Sequence, residues 1–152
     1  MKIPVILLAA LLTAVQSQAQ SVKALPYCYD PALSPDGREV VFVSGGDIWT
    51  MSSSGGEARL LSAHPAMETR PLYSPDGRYI AFQSTRSGNG DLYTLDMTSG
   101  KVTRITFDDA AEELNNWSPD GKYLYYSTTG GDIAGMRDIY KVNATGGTPM
   151  SV

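Results

Sequence analysis

"SPDGREVVFVSGGDIW" runs from Ser34 to Trp49, "SPDGRYIAFQSTRSGNGDLY" from Ser74 to Tyr93, and "SPDGKYLYYSTTGGDIAGMRDIY" from Ser118 to Tyr140. The anchoring serines stand 40 and 44 residues apart. Self-similarity at roughly that period marks a stacked or radial array of supersecondary units. Each copy has the same internal order. Leu33, Tyr73 or Trp117 precedes the serine, and Arg38, Arg78 or Lys122 follows the glycine. A β-rich run comes next, then a variable loop, then "DIW", "DLY" or "DIY". A glycine stands nine residues beyond that aspartate in every copy, at Gly56, Gly100 and Gly147.

The apolar runs are short, rich in Val, Ile, Tyr and Phe, and bounded by turn residues, which is the pattern of strands. No segment keeps a helical period. Four strands per unit are expected, giving an all-β chain of three four-stranded antiparallel sheets. The repeated phrase reads as a hairpin turn between first and second strands. Pro35, Pro75 and Pro119 have the φ that position i+1 needs. Asp36, Asp76 and Asp120 can bond nearby backbone, and Gly37, Gly77 and Gly121 take the positive φ that ends the turn. A turn therefore accounts for Ser34, Ser74, Ser118 and their aspartates without any repeated acidic site. From turn aspartate to the next repeated aspartate is 11, 15 and 18 residues. All length variation thus falls in one loop, as expected for flexible surface segments facing one side.

The first 19 residues read as a secretory leader. Lys2 precedes the apolar run Ile3 to Leu12, and Ser17 and Ala19 fit a cleavage site between Ala19 and Gln20. Ten apolar residues are too few to cross a bilayer, which takes about 20. The expected layout is therefore 1–19 leader, 20–29 lead-in, and blades at about 30–62, 69–107 and 113–152. The product would be exported, periplasmic or secreted, with no membrane attachment after cleavage. The formal charge of −4 becomes −5 once the leader, with its one lysine, is gone. Mild acidity of this kind argues against nucleic acid as a partner. Cys28, the single cysteine, can form no internal disulfide and is expected to be a buried or half-buried spare thiol. Asn116 and Asn143 match the glycan acceptor pattern.

The three copies resemble the Pro-Asp type of β-propeller repeat found in TolB and in Tricorn-like proteases. The connections Ser62–Phe82 and Arg104–Ser127 resemble those between the opening blades of the Tricorn-like propeller. TolB-type chains carry an α/β domain ahead of the first blade, and about ten residues separate Ala19 from Asp30 here. The resemblance implies a six-bladed ring, of which three blades are matched, in a serine peptidase whose catalytic residues lie elsewhere. Three blades do not close a ring, and Val152 aligns inside a fourth strand. The chain is thus expected to be the N-terminal part of a longer protein, or else to complete a ring with a second copy.

Catalytic residues, cofactors and metals are not expected within this stretch. His64 is the only histidine, so no nucleophile–base–orienter set is available, and no G-x-S-x-G elbow occurs. His64 is expected to be a linker residue bonded to a neighbouring blade. Trp49, Tyr93 and Tyr140 recur at one repeat position, as packing between blades would require. The preferred function is a peptide gate or protein-binding scaffold at the front of an exported Tricorn-like peptidase. A non-catalytic TolB-like propeller that binds protein partners is the alternative, and a propeller attached to an amidohydrolase-type enzyme is weaker.

Residues 20–152 expressed alone are expected to be poorly soluble or self-associated, because open sheet faces and unpaired edges promote association. A monodisperse monomer with a cooperative melt, seen by light scattering and calorimetry, would contradict this.

Overall fold

The computed structural model describes residues 27–131 and 134–152, so the leader with Ala19 and Gln20 lies outside the described residues. Among the described residues, twelve strands form three antiparallel sheets, each in simple meander order. The first holds β1 (Cys28–Leu33), β2 (Glu39–Ser44), β3 (Asp47–Ser52) and β4 (Arg59–Ser62). The second holds β5 (Glu68–Tyr73), β6 (Tyr79–Ser84), β7 (Asp91–Asp96) and β8 (Val102–Arg104). The third holds β9 (Glu112–Trp117), β10 (Tyr123–Thr128), β11 (Asp138–Asn143) and β12 (Met150–Ser151). The all-β, three-blade expectation is met. Strand β1 contacts β5, and β5 contacts β9, so the first strands of the blades gather side by side.

Side chains alternate across a strand, and the middle blade uses both faces. Ile80, Phe82, Tyr93 and Leu95 pack with Val41 and Ile48 of the first blade. Ala81, Leu92 and Ile105 pack with Leu114, Trp117, Leu124, Tyr126 and Val142 of the third. Register enforces this division: Phe82 pairs with Tyr93 and Ile80 with Leu95, so these four share one face. Each such fully buried side chain contributes about 1.5–3 kcal/mol. Tyr93 and Tyr140 pack at blade junctions as expected. Trp49 differs. It shares a face with Phe42, opposite Ile48, and its indole N–H donates to the Ser44 carbonyl at 3.2 Å within its own blade.

The residue before each repeated serine reaches back into the preceding blade. Trp117 Nε1 donates to the Leu72 carbonyl at 3.0 Å. Tyr73 donates its hydroxyl proton to Glu39 at 3.1 Å and lies 3.2 Å from Thr50 Oγ1. Leu33, in the first blade, is 61% exposed, because no described blade precedes it. Cys28 is exposed rather than buried, for the same reason. Its counterparts Glu68 and Glu112 are covered by a loop of the blade before, with their N–H groups donating to Gly46 and Gly90 carbonyls at 2.9 and 3.1 Å.

The turns are near copies of one another. Gly37, Gly77 and Gly121 have φ of 71°, 72° and 71°. Each glycine N–H donates to the carbonyl of its serine at 2.9 Å. The serine hydroxyl donates to the aspartate Oδ1 at 2.6 Å in all three. It also accepts the N–H of Glu39, Tyr79 or Tyr123 at 2.9 Å. A Cβ at Gly77 would stand 3.7 Å from Pro35, an ordinary contact, so backbone conformation and not space requires glycine there.

Ser74 is fully buried while Ser34 is half-buried. Ser74→Ala leaves the Tyr79 N–H without its acceptor and is expected to destabilise by about 1–3 kcal/mol. Ser34→Ala, where water can substitute, should lose less than about 1 kcal/mol. Urea denaturation of the two variants measures both, and equal losses would contradict the role assigned to burial.

Candidate functional site: the mouth of the first strands

The serine and aspartate side chains of the repeated turns are committed to hydrogen bonds within the turn. Asp36, Asp76 and Asp120 are each held below the usual carboxylate range, first by the serine hydroxyl and then by the backbone N–H two residues on. That stabilisation is present above the ordinary aspartate value and is lost as pH falls through the lowered one. His64 is exposed, and its Nδ1 accepts the Ala66 N–H at 3.0 Å. Its side chain thus bonds within the linker and not to a neighbouring blade; only its backbone N–H reaches a blade, at Asp47 Oδ1, 3.2 Å away. The Oδ1 of Asn116 accepts the Trp117 N–H at 2.9 Å, and that of Asn143 accepts the Thr145 N–H at 2.9 Å. Among the described residues no three metal-ligating side chains converge.

The charged groups gather instead where the first strands meet. A cavity of about 440 Å³ opens there, lined by Asp30, Thr69, Arg70, Glu113 and Arg137 among others. Arg70 ties the three blades together. Its N–H donates to Asp30 Oδ2 at 2.8 Å, its Nη1 to the Leu114 carbonyl at 3.0 Å, and its Nη2 pairs with Glu113 at 2.7 Å. Arg137, from the β10–β11 loop, pairs with the other oxygen of Glu113. Three acids, Asp30, Glu112 and Glu113, and two arginines therefore border one opening.

Asp30 and Arg70 have φ of 51° and 54°. Left-handed conformations at non-glycine residues store about 1–3 kcal/mol and persist only when their surroundings enforce them. Both precede a proline, Pro31 and Pro71, and both lie where register shifts along the first strand. The sequence reading missed this cluster. Its signal was the pair "DP" and "RP" inside runs that otherwise read as plain strands.

The second group missed lies between blades at the loop end. Glu68 and Glu112 open β5 and β9 and are 0% and 1% exposed. Ser62 donates its hydroxyl to Glu68 Oε1 at 3.2 Å, and Thr106 donates to Glu112 Oε2. Arg86, from the loop after β6, forms an ion pair with Glu68, and Ser87 bonds Asp91. That loop was expected to be flexible; these buried partners pin it. Glu112 has no arginine of its own. Burial, with Asp91 and Asp108 adding and Thr106 opposing, pushes its carboxyl up to about 7.

Comparison with known proteins agrees with this architecture. The tricorn protease crystal structure superposes with a TM-score of 0.73 at 24% identity, over 84% of this chain and 13% of that one. TolB from Acinetobacter baumannii gives 0.70 at 24% identity, over 83% and 32%. At such identity these likenesses speak for the fold alone. A curated relative, "Uncharacterized peptidase YuxL" of Bacillus subtilis, is 48% identical over 56 residues, 34% of this chain and 8% of its own length. The chain thus spans a small part of the proteins it matches. Residues 26–152 match the model of the tricorn protease N-terminal beta propeller domain, and the chain belongs to that family.

Proposed function

We propose that this chain is the front propeller of an exported peptidase-type protein, where it admits or holds peptides and contributes no catalytic group. The observation that carries the reading is the charged mouth where the first strands meet, with Asp30, Glu112 and Glu113 beside Arg70 and Arg137. Membership of the family and the partial likeness to a protein named as a peptidase support it. Export rests on the leader pattern of residues 1–19. A non-catalytic propeller that binds a protein partner is the second reading, favoured by the TolB-like fold.

The test uses the full-length protein with two substrates, a decapeptide and a short chromogenic peptide. Arg137→Ala and Glu113→Gln are expected to lower kcat/KM for the decapeptide by about tenfold, equal to about 1.4 kcal/mol of lost binding. The short substrate should be unaffected. If both substrates fall together, the mouth is not a peptide contact. If the full-length protein cleaves neither, the partner-binding reading replaces the first.

A further inference from the structure

The two described blade junctions are built from the same parts, and one part differs in charge. In the first junction Glu68 pairs in register with Ser84, and in the second Glu112 pairs with Thr128. The N–H two residues later returns to that hydroxyl in both: Arg86 N to Ser84 at 3.3 Å and Gly130 N to Thr128 at 3.0 Å. Arg86 and Gly130 are therefore equivalent positions. In the first junction the Arg86 guanidinium meets Glu68 and lies over the rings of Phe82 and Tyr93, 5.5 and 4.9 Å from their centroids. Those rings stack 5.7 Å apart. The second junction repeats the carboxylate as Glu112, the hydroxyl as Thr106, and the stacked rings as Tyr126 and Tyr140, 6.0 Å apart. At the arginine's position it has Gly130.

A second acid stands there too. Ala110 N–H donates to Asp108 Oδ1 at 3.0 Å, as Ala66 N–H donates to His64 Nδ1 at 3.0 Å. Asp108 thus replaces His64. A side chain begun at Gly130 would start 3.0–3.2 Å from the Asp108 carboxylate. Arg104, from the same junction, is held by Asp91 at 2.9 Å and by the Thr106 carbonyl at 2.8 Å. Glu112 Oε1 is buried with no hydrogen-bond partner, an expensive state that a donor relieves; Glu68 Oε2 is in the same state, but its carboxylate has Arg86 on the other oxygen. Glu112 is enclosed and Asp108 exposed, and the Asp108 carboxylate acts on Glu112 electrostatically.

We infer that the junction between the second and third blades binds a guanidinium-type organic cation, held by Glu112 and Asp108 beside Gly130 and flanked by Tyr126 and Tyr140. A flat guanidinium donates in a fork to carboxylate and stacks on aromatic rings, as Arg86 does within the chain. The site goes beyond the peptide-gate reading and does not depend on it. An arginine residue of another polypeptide and a free guanidinium compound share this chemistry.

Charge sets the pH window. The groups around Glu112 are Asp91, Asp108, Arg104 and Tyr126. With the carboxyl raised from 4.5 to about 7, its contribution to stability is full below the ordinary value and is lost as pH rises through 7. A cation replaces the proton, so its effect belongs to the alkaline side.

The experiment is a thermal melt of the full-length protein at pH 8 and pH 5 with millimolar methylguanidinium, against sodium chloride at equal ionic strength. At pH 8 the melting temperature should rise saturably, by about 5 °C at a tenfold excess over a dissociation constant on the order of 1 mM. At pH 5 the rise should be at most a third of that. Glu112→Gln should abolish it, and Gly130→Arg should raise the pH 8 melting temperature unaided and remove the response. N-acetyl-arginine amide binding tenfold tighter than methylguanidinium would make the occupant an arginine residue; equal binding would make it a free compound. A methylguanidinium effect no larger than that of sodium, or one that survives Glu112→Gln, overturns the site.

Discussion

Every blade depends on burying both faces of its sheet against another blade. An isolated four-stranded meander has two faces and one interior to offer, so half of its apolar side chains would face water. The middle blade shows the resolved case. Ile80 and Phe82 enter one core while Ala81, between them in sequence, enters the other. A one-residue slip of β6 would exchange these sets and place Gln83 in an apolar junction. The six-to-six pairing of β6 with β7 is therefore fixed by two cores at once. The first blade meets only half of this condition, and its Leu33 and Cys28 are exposed where their counterparts are covered.

Polar groups reinforce the same junctions. The tips of Tyr73 and Trp117 each find a partner in the preceding blade, so a large apolar body and a single donor are satisfied together. Loops then cover the first strands, with Gly46 and Gly90 carbonyls accepting from Glu68 and Glu112. The order of events in the chain is thus reflected in space: each blade completes the one before it. Length varies in the β2–β3 type of loop, between the strand ends that the ladders hold in register.

Much of this was legible in the residues. Ser-Pro-Asp-Gly predicts a turn from the φ of proline and the permissiveness of glycine, and the strands follow from short β-branched and aromatic runs. The serine's double role was not read, because a hydroxyl that both donates and accepts leaves no trace in a pattern of residue types. The mouth was missed for a related reason. Arg70 lies 43 positions before Glu113 in the sequence, and only the meeting of β5 with β9 makes them a pair. Cys28 was misjudged because burial belongs to the neighbouring blade and not to the cysteine.

Repetition supplies its own comparison inside one molecule. When two junctions share backbone bonds, hydroxyl, carboxylate and ring pair, the chemistry that differs between them is informative in a way that a single site is not. Arg86 neutralises a carboxylate that is completely enclosed, and its guanidinium has two rings to lie on. A charge enclosed without such a partner must either take up a proton or find a cation. Glu112, with Asp108 at the solvent side and Gly130 where the arginine would begin, stands at that choice near neutral pH. The substitution of glycine for arginine removes a permanent internal cation and leaves its receptor groups in place, which converts a structural ion pair into an exchangeable one.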